Sequence, residues 1–323
     1  MASVTYNGST YQCSSSDTVL DVLLQNGVDV PYSCQEGFCH TCVMRAVEGS
    51  PSRESQEDMT PEEIEKNDFL ACKCKVEGTL TVGIPGNEAN QDYKAKIIEK
   101  KFLSKSMVQI KCRVDGNFNY KPGQYLNIVR DDGLIRSYSI ASVPENGEPV
   151  ELHIQKIEGG KMSTWLHSQV FAGSTLTVHG PYGSFFYETG RSDQEMIMIA
   201  TGSGLAPLWG ILREAIRNHH KGKIQVFHGS RFQDGLYYVD EMKDLAAKHP
   251  NLEYYPCLSG PDVPETFEKG RADDVAVKKN IRMKNMRVFL CGHPEMVERM
   301  KKKAFIAGAE KSDILVDPFV FSS

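Results

Sequence analysis

Cys34, Cys39, Cys42 and Cys72 stand at the spacing Cys-x4-Cys-x2-Cys-x29-Cys, and no other feature limits so tightly what this chain can fold into. Three of the thiols share one short loop, Tyr32-Ser33-Cys34-Gln35-Glu36-Gly37-Phe38-Cys39-His40-Thr41-Cys42, whose backbone must curl around a single point. The fourth, in Leu70-Ala71-Cys72, ties that loop to a distant part of the same domain. This is the plant-type ligand spacing of a 2Fe-2S cluster, so an electron carrier is expected. A structural zinc site uses the same donor, but usually as two short pairs. A disulfide framework suits a short secreted chain, whereas this one has 323 residues, nine cysteines and no apolar export segment after Met1. Cys13, Cys74, Cys112 and Cys257 are left as reduced thiols.

A length of 323 residues allows two or three domains, each with its own core. The net charge of -5 lacks the basic footprint that nucleic-acid binding requires. No apolar run approaches the roughly 18 residues of a membrane span. A soluble, cytoplasmic protein is expected, with neither nucleic acid nor membrane as partner.

Three segments follow. Residues 1–86 read as an α+β, β-grasp-like ferredoxin domain. Apolar and polar residues alternate over 4–13, Ser16-Asp17-Thr18 opens a helix that Gly27 ends, an exposed acidic helix covers 54–65, and Leu80-Thr81-Val82 is a closing strand. Residues 87–92 belong to a polar linker punctuated by Gly and Pro. Over 93–190, strand-like runs at 94–98, 107–114, 125–129, 137–141, 150–157 and 176–178 are separated by turn residues, as in an antiparallel β-barrel. From Glu195 the rhythm changes. Met196-Ile197-Met198-Ile199-Ala200 is an apolar strand, a glycine loop follows, Pro207 opens a helix, and strands at 224–228, 253–257 and 288–291 alternate with helices at 238–248 and 294–308. Residues 191–323 therefore read as an α/β domain with a parallel sheet covered on both faces.

In Thr201-Gly202-Ser203-Gly204-Leu205-Ala206-Pro207 the glycines permit close approach of a ligand, and the following helix points its positive end at a pyrophosphate. Pro207 fills the third position of Gly-x-Gly-x-x-Gly, so an ordinary dinucleotide fingerprint is not matched; alone, the segment is equally a plain strand-to-helix turn. Lys301, Lys302 and Lys303, near a helix C-terminus, read as solvent charges.

Four further motifs occur in order: Arg136-Ser137-Tyr138-Ser139, Gly159-Gly160-Lys161-Met162-Ser163, Gly180-Pro181-Tyr182-Gly183-Ser184-Phe185 and Cys291-Gly292-His293-Pro294-Glu295-Met296. With them the chain resembles the ferredoxin-NADP reductase superfamily. With a plant-type ferredoxin in front, it is similar over nearly its full length to the three-domain reductase components of Rieske and di-iron oxygenases, the benzoate dioxygenase and methane monooxygenase reductases among them.

The resemblance implies a set of roles. Arg136 would pair with the pyrophosphate of FAD through its planar guanidinium. Ser137 lies in the same motif, Tyr138 would lie against the flavin ring, and Ser139 would stand where the hydride arrives. Backbone N–H groups around Gly160, Met162 and Ser163 would hold the flavin phosphates. Thr201, Gly202 and Gly204 would shape the nicotinamide cleft, with Cys291 and Gly292 on its far side. Asp317-Pro318-Phe319-Val320-Phe321 would bring an aromatic, Phe319 first, to the flavin face; Ser139, Cys291 and Phe319 form the expected catalytic group. Two positions depart from the family pattern: His40 stands where many relatives have Gly, and His293 where Pro is commoner. Ser230 and Arg231, ending the strand at His228-Gly229, would meet the adenosine end. A cation there favours NADPH and an acid favours NADH; family precedent makes NADH the expected donor, with NADPH the alternative.

NADH yields two electrons together, whereas a 2Fe-2S cluster takes them singly, so a flavin must stand between. The expected activity is that of an NAD(P)H:acceptor oxidoreductase, running from NADH through FAD and the 2Fe-2S cluster to an oxygenase or hydroxylase component or its ferredoxin. A monomer is expected. The competing readings are a reductase of sugar 3-deoxygenation, and a ferredoxin-type carrier without hydride transfer.

Overall fold

The computed structural model describes residues 2–28, 30, 32, 35, 37, 42–57, 59, 61–85, 93–144 and 148–319. Cys34, Cys39, His40, Phe321 and the expected linker at 87–92 lie outside the described residues. The chain divides into two compact units, residues 1–92 with 127–137 and 178–180, and the remainder.

At the N-terminus, residues 4–13 form a hairpin rather than one strand. β1 (Ala2–Tyr6) and β2 (Ser9–Cys13) are joined through Asn7 and Gly8, both at positive φ (48° and 80°), the backbone that a tight two-residue hairpin turn demands. α1 (Val19–Gln25) starts where the sequence signals it. Thr18 caps the Asp21 N–H, and the Asp21 carboxylate accepts from the Thr18 N–H in return. β3 (Val43–Glu48), α2 (Pro61–Glu65), β4 (Asp68–Leu70) and β5 (Thr79–Gly83) complete this part, with strand order β2-β1-β5-β3-β4. The α1 residues Val19, Leu20, Val22 and Leu23 bury their apolar stripe in a core with Val4, Phe69, Leu70 and Leu80.

The expected acidic helix at 54–65 is broken. A 3-10 turn (Arg53–Gln56) precedes the short α2. Ser55 and Met59 turn inward and are buried, the Ser55 hydroxyl donates to the Ser52 carbonyl, and Pro61, which has no N–H to give, begins a helix instead of continuing one.

The second sheet contains β6 (Tyr93–Phe102), β7 (Met107–Val114), β8 (Tyr125–Val129), β9 (Ile135–Ser139), β10 (Val150–Gln155) and, after α3 (Lys161–Ser168), β11 (Thr175–Tyr182). Its order is β10-β7-β6-β11-β8-β9. An antiparallel bridge from Ile140 to Leu152 joins the chain after β9 to β10, so the sheet curls toward closure. Ile97, Ile110, Leu126, Ile140 and Leu152 fill its interior.

The third sheet is wholly parallel, in the order β15-β14-β13-β12-β16-β17. It comprises β12 (Met196–Thr201), β13 (Ile224–Ser230), β14 (Leu252–Leu258), β15 (Glu268–Lys269), β16 (Arg287–Gly292) and β17 (Ile314–Pro318). The intervening helices are α4 (Leu205–Arg217), α5 (Val239–Lys248), α6 (Ala272–Lys279) and α7 (Pro294–Ile306). On one face lie Leu205, Leu208, Ile211 and Leu212 of α4 with Met242 of α5; on the other lie Val275 and Ala276 of α6 with Val297 and Met300 of α7. The chain builds outward from β12 to β15 and then returns to β16 on the other side of β12. That reversal opens the crevice in which sheets of this kind bind ligands, at the carboxyl ends of the strands.

Two expectations change here. α4 begins at Leu205, so Pro207 is its third residue, still within the first turn whose N–H groups have no helical acceptor. Lys303 is not a free solvent charge: its ammonium lies 3.0 Å from the fully buried carboxylate of Asp273, which Arg299 also grips at 2.5 and 2.6 Å.

Candidate redox-cofactor site

Cys42 directly precedes β3 and Cys72 follows β4 by one residue. Because Val43 is the register partner of Leu70, the two thiols emerge at the same end of the hairpin, with sulfurs 3.3 Å apart. That is far beyond the roughly 2.05 Å of a disulfide bond. It is the convergence of two donors toward a common centre, in keeping with a thiolate-held iron centre. Among the described residues no third His, Cys, Asp or Glu completes a metal site; the other two expected ligands, Cys34 and Cys39, lie outside them.

β9 carries Arg136, Ser137, Tyr138 and Ser139. The first three are half-buried and Ser139 is buried. Ser137 donates to the Asn127 side chain at 2.7 Å, and Arg136 to the Ile135 carbonyl at 2.7 Å. Gly160 caps α3 with no side-chain hydrogen bond, so no side chain of the cap covers the first turn, and a helix N-terminus favours an anion. Ser163 accepts from the Ile157 N–H at 3.1 Å and donates to the Gly160 carbonyl at 3.3 Å, closing the approach loop on itself. Met162 is buried and so can offer a ligand only its main chain. The residues present fit a phosphate-bearing cofactor.

The crevice beside β12 gathers the remaining residues. A methyl group on Gly204 would run into the Cys291 carbonyl, and one on Gly292, at φ 119°, into the Thr201 backbone. Neither position admits a side chain, so backbone lines the cleft. The Thr201 hydroxyl accepts from the His293 N–H at 2.9 Å, locking the glycine loop to the start of α7. Gly229 is the register partner of Thr201, so half-buried Ser230 and exposed Arg231 leave the sheet along the same edge. The Arg231 guanidinium lies over the Phe232 ring at 5.2 Å.

β17 brings in a residue that the sequence reading passed over. Cys291 and Asp317 are register partners. The Asp317 carboxylate accepts from the Ser139 hydroxyl at 3.2 Å, and the Cys291 thiol points to the same oxygen at 3.8 Å. Burial, reinforced by Asp317, pushes the Cys291 thiol well above its ordinary range, so it stays protonated and acts as a donor, not as a nucleophile. The Phe319 N–H donates to the Gly292 carbonyl at 2.7 Å, and its half-buried ring packs on the cluster containing Leu205 and Cys291. Ser139, Cys291 and Phe319, expected together, are thus brought together with Asp317 among them. The signal for Asp317 in the sequence is its place two residues before Phe319.

Three domain families match consecutive parts of the chain: a 2Fe-2S iron-sulfur cluster binding domain over residues 4–77, an oxidoreductase FAD-binding domain over 94–187, and an oxidoreductase NAD-binding domain over 198–302. The phenol hydroxylase P5 protein of Acinetobacter pittii (strain PHEA-2) is 32% identical over 306 residues, covering 90% of this chain and 86% of the relative. The chain belongs to the oxygenase reductase components. This reductase component is also 28% identical to the naphthalene 1,2-dioxygenase system ferredoxin–NAD(P)(+) reductase component of Pseudomonas putida, over 95% of the chain and 94% of the relative. Among solved structures, the Amycolatopsis cytochrome P450 reductase GcoB superposes with a TM-score of 0.72 at 26% identity, each chain covered in full. The reductase component is an oxidoreductase built for a 2Fe-2S cluster, FAD and NAD(H). Among the described residues, no helix is long and apolar enough to cross a membrane.

Proposed function

We propose that this reductase component oxidises NADH and delivers the electrons singly to the oxygenase or hydroxylase component, or its ferredoxin, of one oxygenase system. The meeting of Ser139, Cys291 and Asp317 beside the Gly204–Gly292 cleft is the observation that carries this reading. When bound, the flavin accepts the nicotinamide hydride and hands electrons on one at a time. Ser139 and Cys291 present hydroxyl and thiol hydrogens oriented by one carboxylate. Thr201, Gly202, Gly204 and Gly292 would bed the nicotinamide, and Phe319 would lie against the flavin face that the nicotinamide must reach. Arg136, Ser137, Tyr138 and the first turn of α3, through Gly160, Met162 and Ser163, hold FAD; Ser230 and Arg231 meet the adenosine end. Cys34, Cys39, Cys42 and Cys72 hold the cluster. The domains run 1–86, 93–190 and 191–323, joined by 87–92, in a cytoplasmic monomer.

The test is an anaerobic titration of purified holoprotein with NADH and with NADPH, followed in the visible range, with iron, sulfide and flavin assayed. Two irons, one FAD and bleaching faster with NADH are expected. Bleaching by neither nicotinamide would sink the reading, and faster bleaching by NADPH would reverse the donor assignment.

A further inference from the structure

β10 reads Val150-Glu151-Leu152-His153-Ile154-Gln155. Strand alternation sends Leu152 and Ile154 into the barrel interior and Glu151, His153 and Gln155 to the other face. Ordinarily such a face meets water, yet here it is covered. The Glu151 side chain is 7% exposed and that of His153 0%. The Glu151 carboxylate accepts from His153 Nε2 at 2.7 Å, Gln109 Nε2 at 2.8 Å and the Tyr238 hydroxyl at 3.1 Å, with Arg213 of α4 at 3.6 Å. His153 Nδ1 lies within hydrogen-bond distance of the Tyr237 hydroxyl, at 3.1 Å. Gln109 also reaches the Tyr238 oxygen at 2.6 Å. Burial raises the Glu151 carboxyl, but His153, Gln109 and Arg213 outweigh it and bring it down to about 2, so the group is a buried anion.

A buried, hydrogen-bonded charge rarely out-stabilises well-packed apolar residues of the same volume, and its best-attested use is to select one arrangement among several. What this one selects is visible in its partners. Tyr237 and Tyr238 directly precede α5, Tyr238 as its N-cap in the left-handed region at φ 57°, and they end the loop that starts at Ser230 and Arg231. At the other end of the same strand face, Gln155 Oε1 accepts from the Ser203 N–H at 3.4 Å and occupies the space a side chain on Gly202 would need. One face of one barrel strand therefore touches both the segment leading from the adenosine end and the glycine loop.

We propose that the Glu151 carboxylate, with Gln109, His153 and Tyr238, is a positioning device that sets the nucleotide-binding sheet in register against the flavin barrel for hydride transfer. This rests on the nicotinamide and flavin roles proposed above. Misplacement of reacting atoms by about an ångström costs roughly 100-fold in rate, so a device of this kind shows itself in the hydride step and not in cofactor retention.

The experiment is stopped-flow reduction of the holoprotein by NADH in wild type, Glu151→Gln and Tyr238→Phe, reading the limiting rate of flavin bleaching and the apparent Kd for NADH separately, with FAD content measured alongside. The expected result is a limiting rate reduced about 10- to 100-fold in both variants, with the Kd within about threefold and full FAD occupancy. Should Glu151→Gln not accumulate, Tyr238→Phe, which removes one hydroxyl, decides by itself. A limiting rate within twofold of wild type, or a loss that tracks missing FAD, overturns the proposal. Absence of bleaching in wild type would instead strike the function proposed above.

Discussion

Asp317 and Ser139, 178 residues apart in the chain, are joined by a 3.2 Å hydrogen bond from hydroxyl to carboxylate. β17 brings this about by pairing in parallel with β16, which sets the Asp317 carboxylate beside the Cys291 thiol as well. Replacing the carboxylate frees both donors to rotate. Asp317→Ala is expected to slow NADH-driven flavin reduction about 10- to 100-fold with FAD still bound, as read by stopped-flow absorbance. An unchanged rate would remove Asp317 from the site.

Cys42 and Cys72 share the mouth of the β3–β4 hairpin, whereas the nearby Cys74 is buried in the domain core. Cys72→Ser is therefore expected to lose iron and sulfide, and Cys74→Ala to keep both at two per chain. Metal analysis of anaerobically purified variants separates the two outcomes. Retained iron in Cys72→Ser would break the ligand assignment.

Gly204 abuts main chain, which cannot swing aside as a flexible side chain would. Gly204→Ala should cost about 1–3 kcal/mol of stability through overpacking and weaken NADH binding. Chemical denaturation and an NADH titration measure the two effects, and a fully stable, normally binding variant would show that the cleft is softer than its geometry implies.

Asp273 lies fully buried beneath α7, gripped by Arg299 and Lys303, with Asp274 also bound to Lys303. Burial raises its carboxyl, but the two cations outweigh this and hold it below the ordinary aspartate range. A depressed folded-state pKa adds stability above the unfolded value, and that stability disappears as pH falls through the folded one. Asp273→Asn should therefore cost about 1.5–3 kcal/mol at neutral pH, with the gap from wild type narrowing below about pH 4. Urea unfolding at a series of pH values follows it; a gap independent of pH would contradict the ion pair.

Local chemistry made much of this legible. The strands at 107–114 and 125–129 match β7 and β8 residue for residue, because alternation between turn residues is a local signal. The start of α1 follows from Thr18 and Asp21, two residues that cap each other. α3 was not read, since Gly159 and Gly160 look like a turn and the eight helical residues have no side-chain cap to announce them. The acidic stretch at 54–65 misled because charge suggests an exposed helix, while Ser55 and Met59 decide that the chain dips inward.

The amino-acid order alone settled which residues have the donor chemistry: four thiols at ligand spacing, glycines in the loop after an apolar strand, an arginine and hydroxyls along one barrel strand. These depend on residue type and short spacing, and both survive in one dimension. Tertiary structure alone decided that Asp317 reaches Ser139, that the Cys42 and Cys72 sulfurs converge, and that the polar face of β10 is covered by Tyr237, Tyr238 and Arg213 instead of facing water. Each of those results from strand register or from two elements packing face to face, and such pairings are made by the folded backbone between segments that nothing in the local sequence connects.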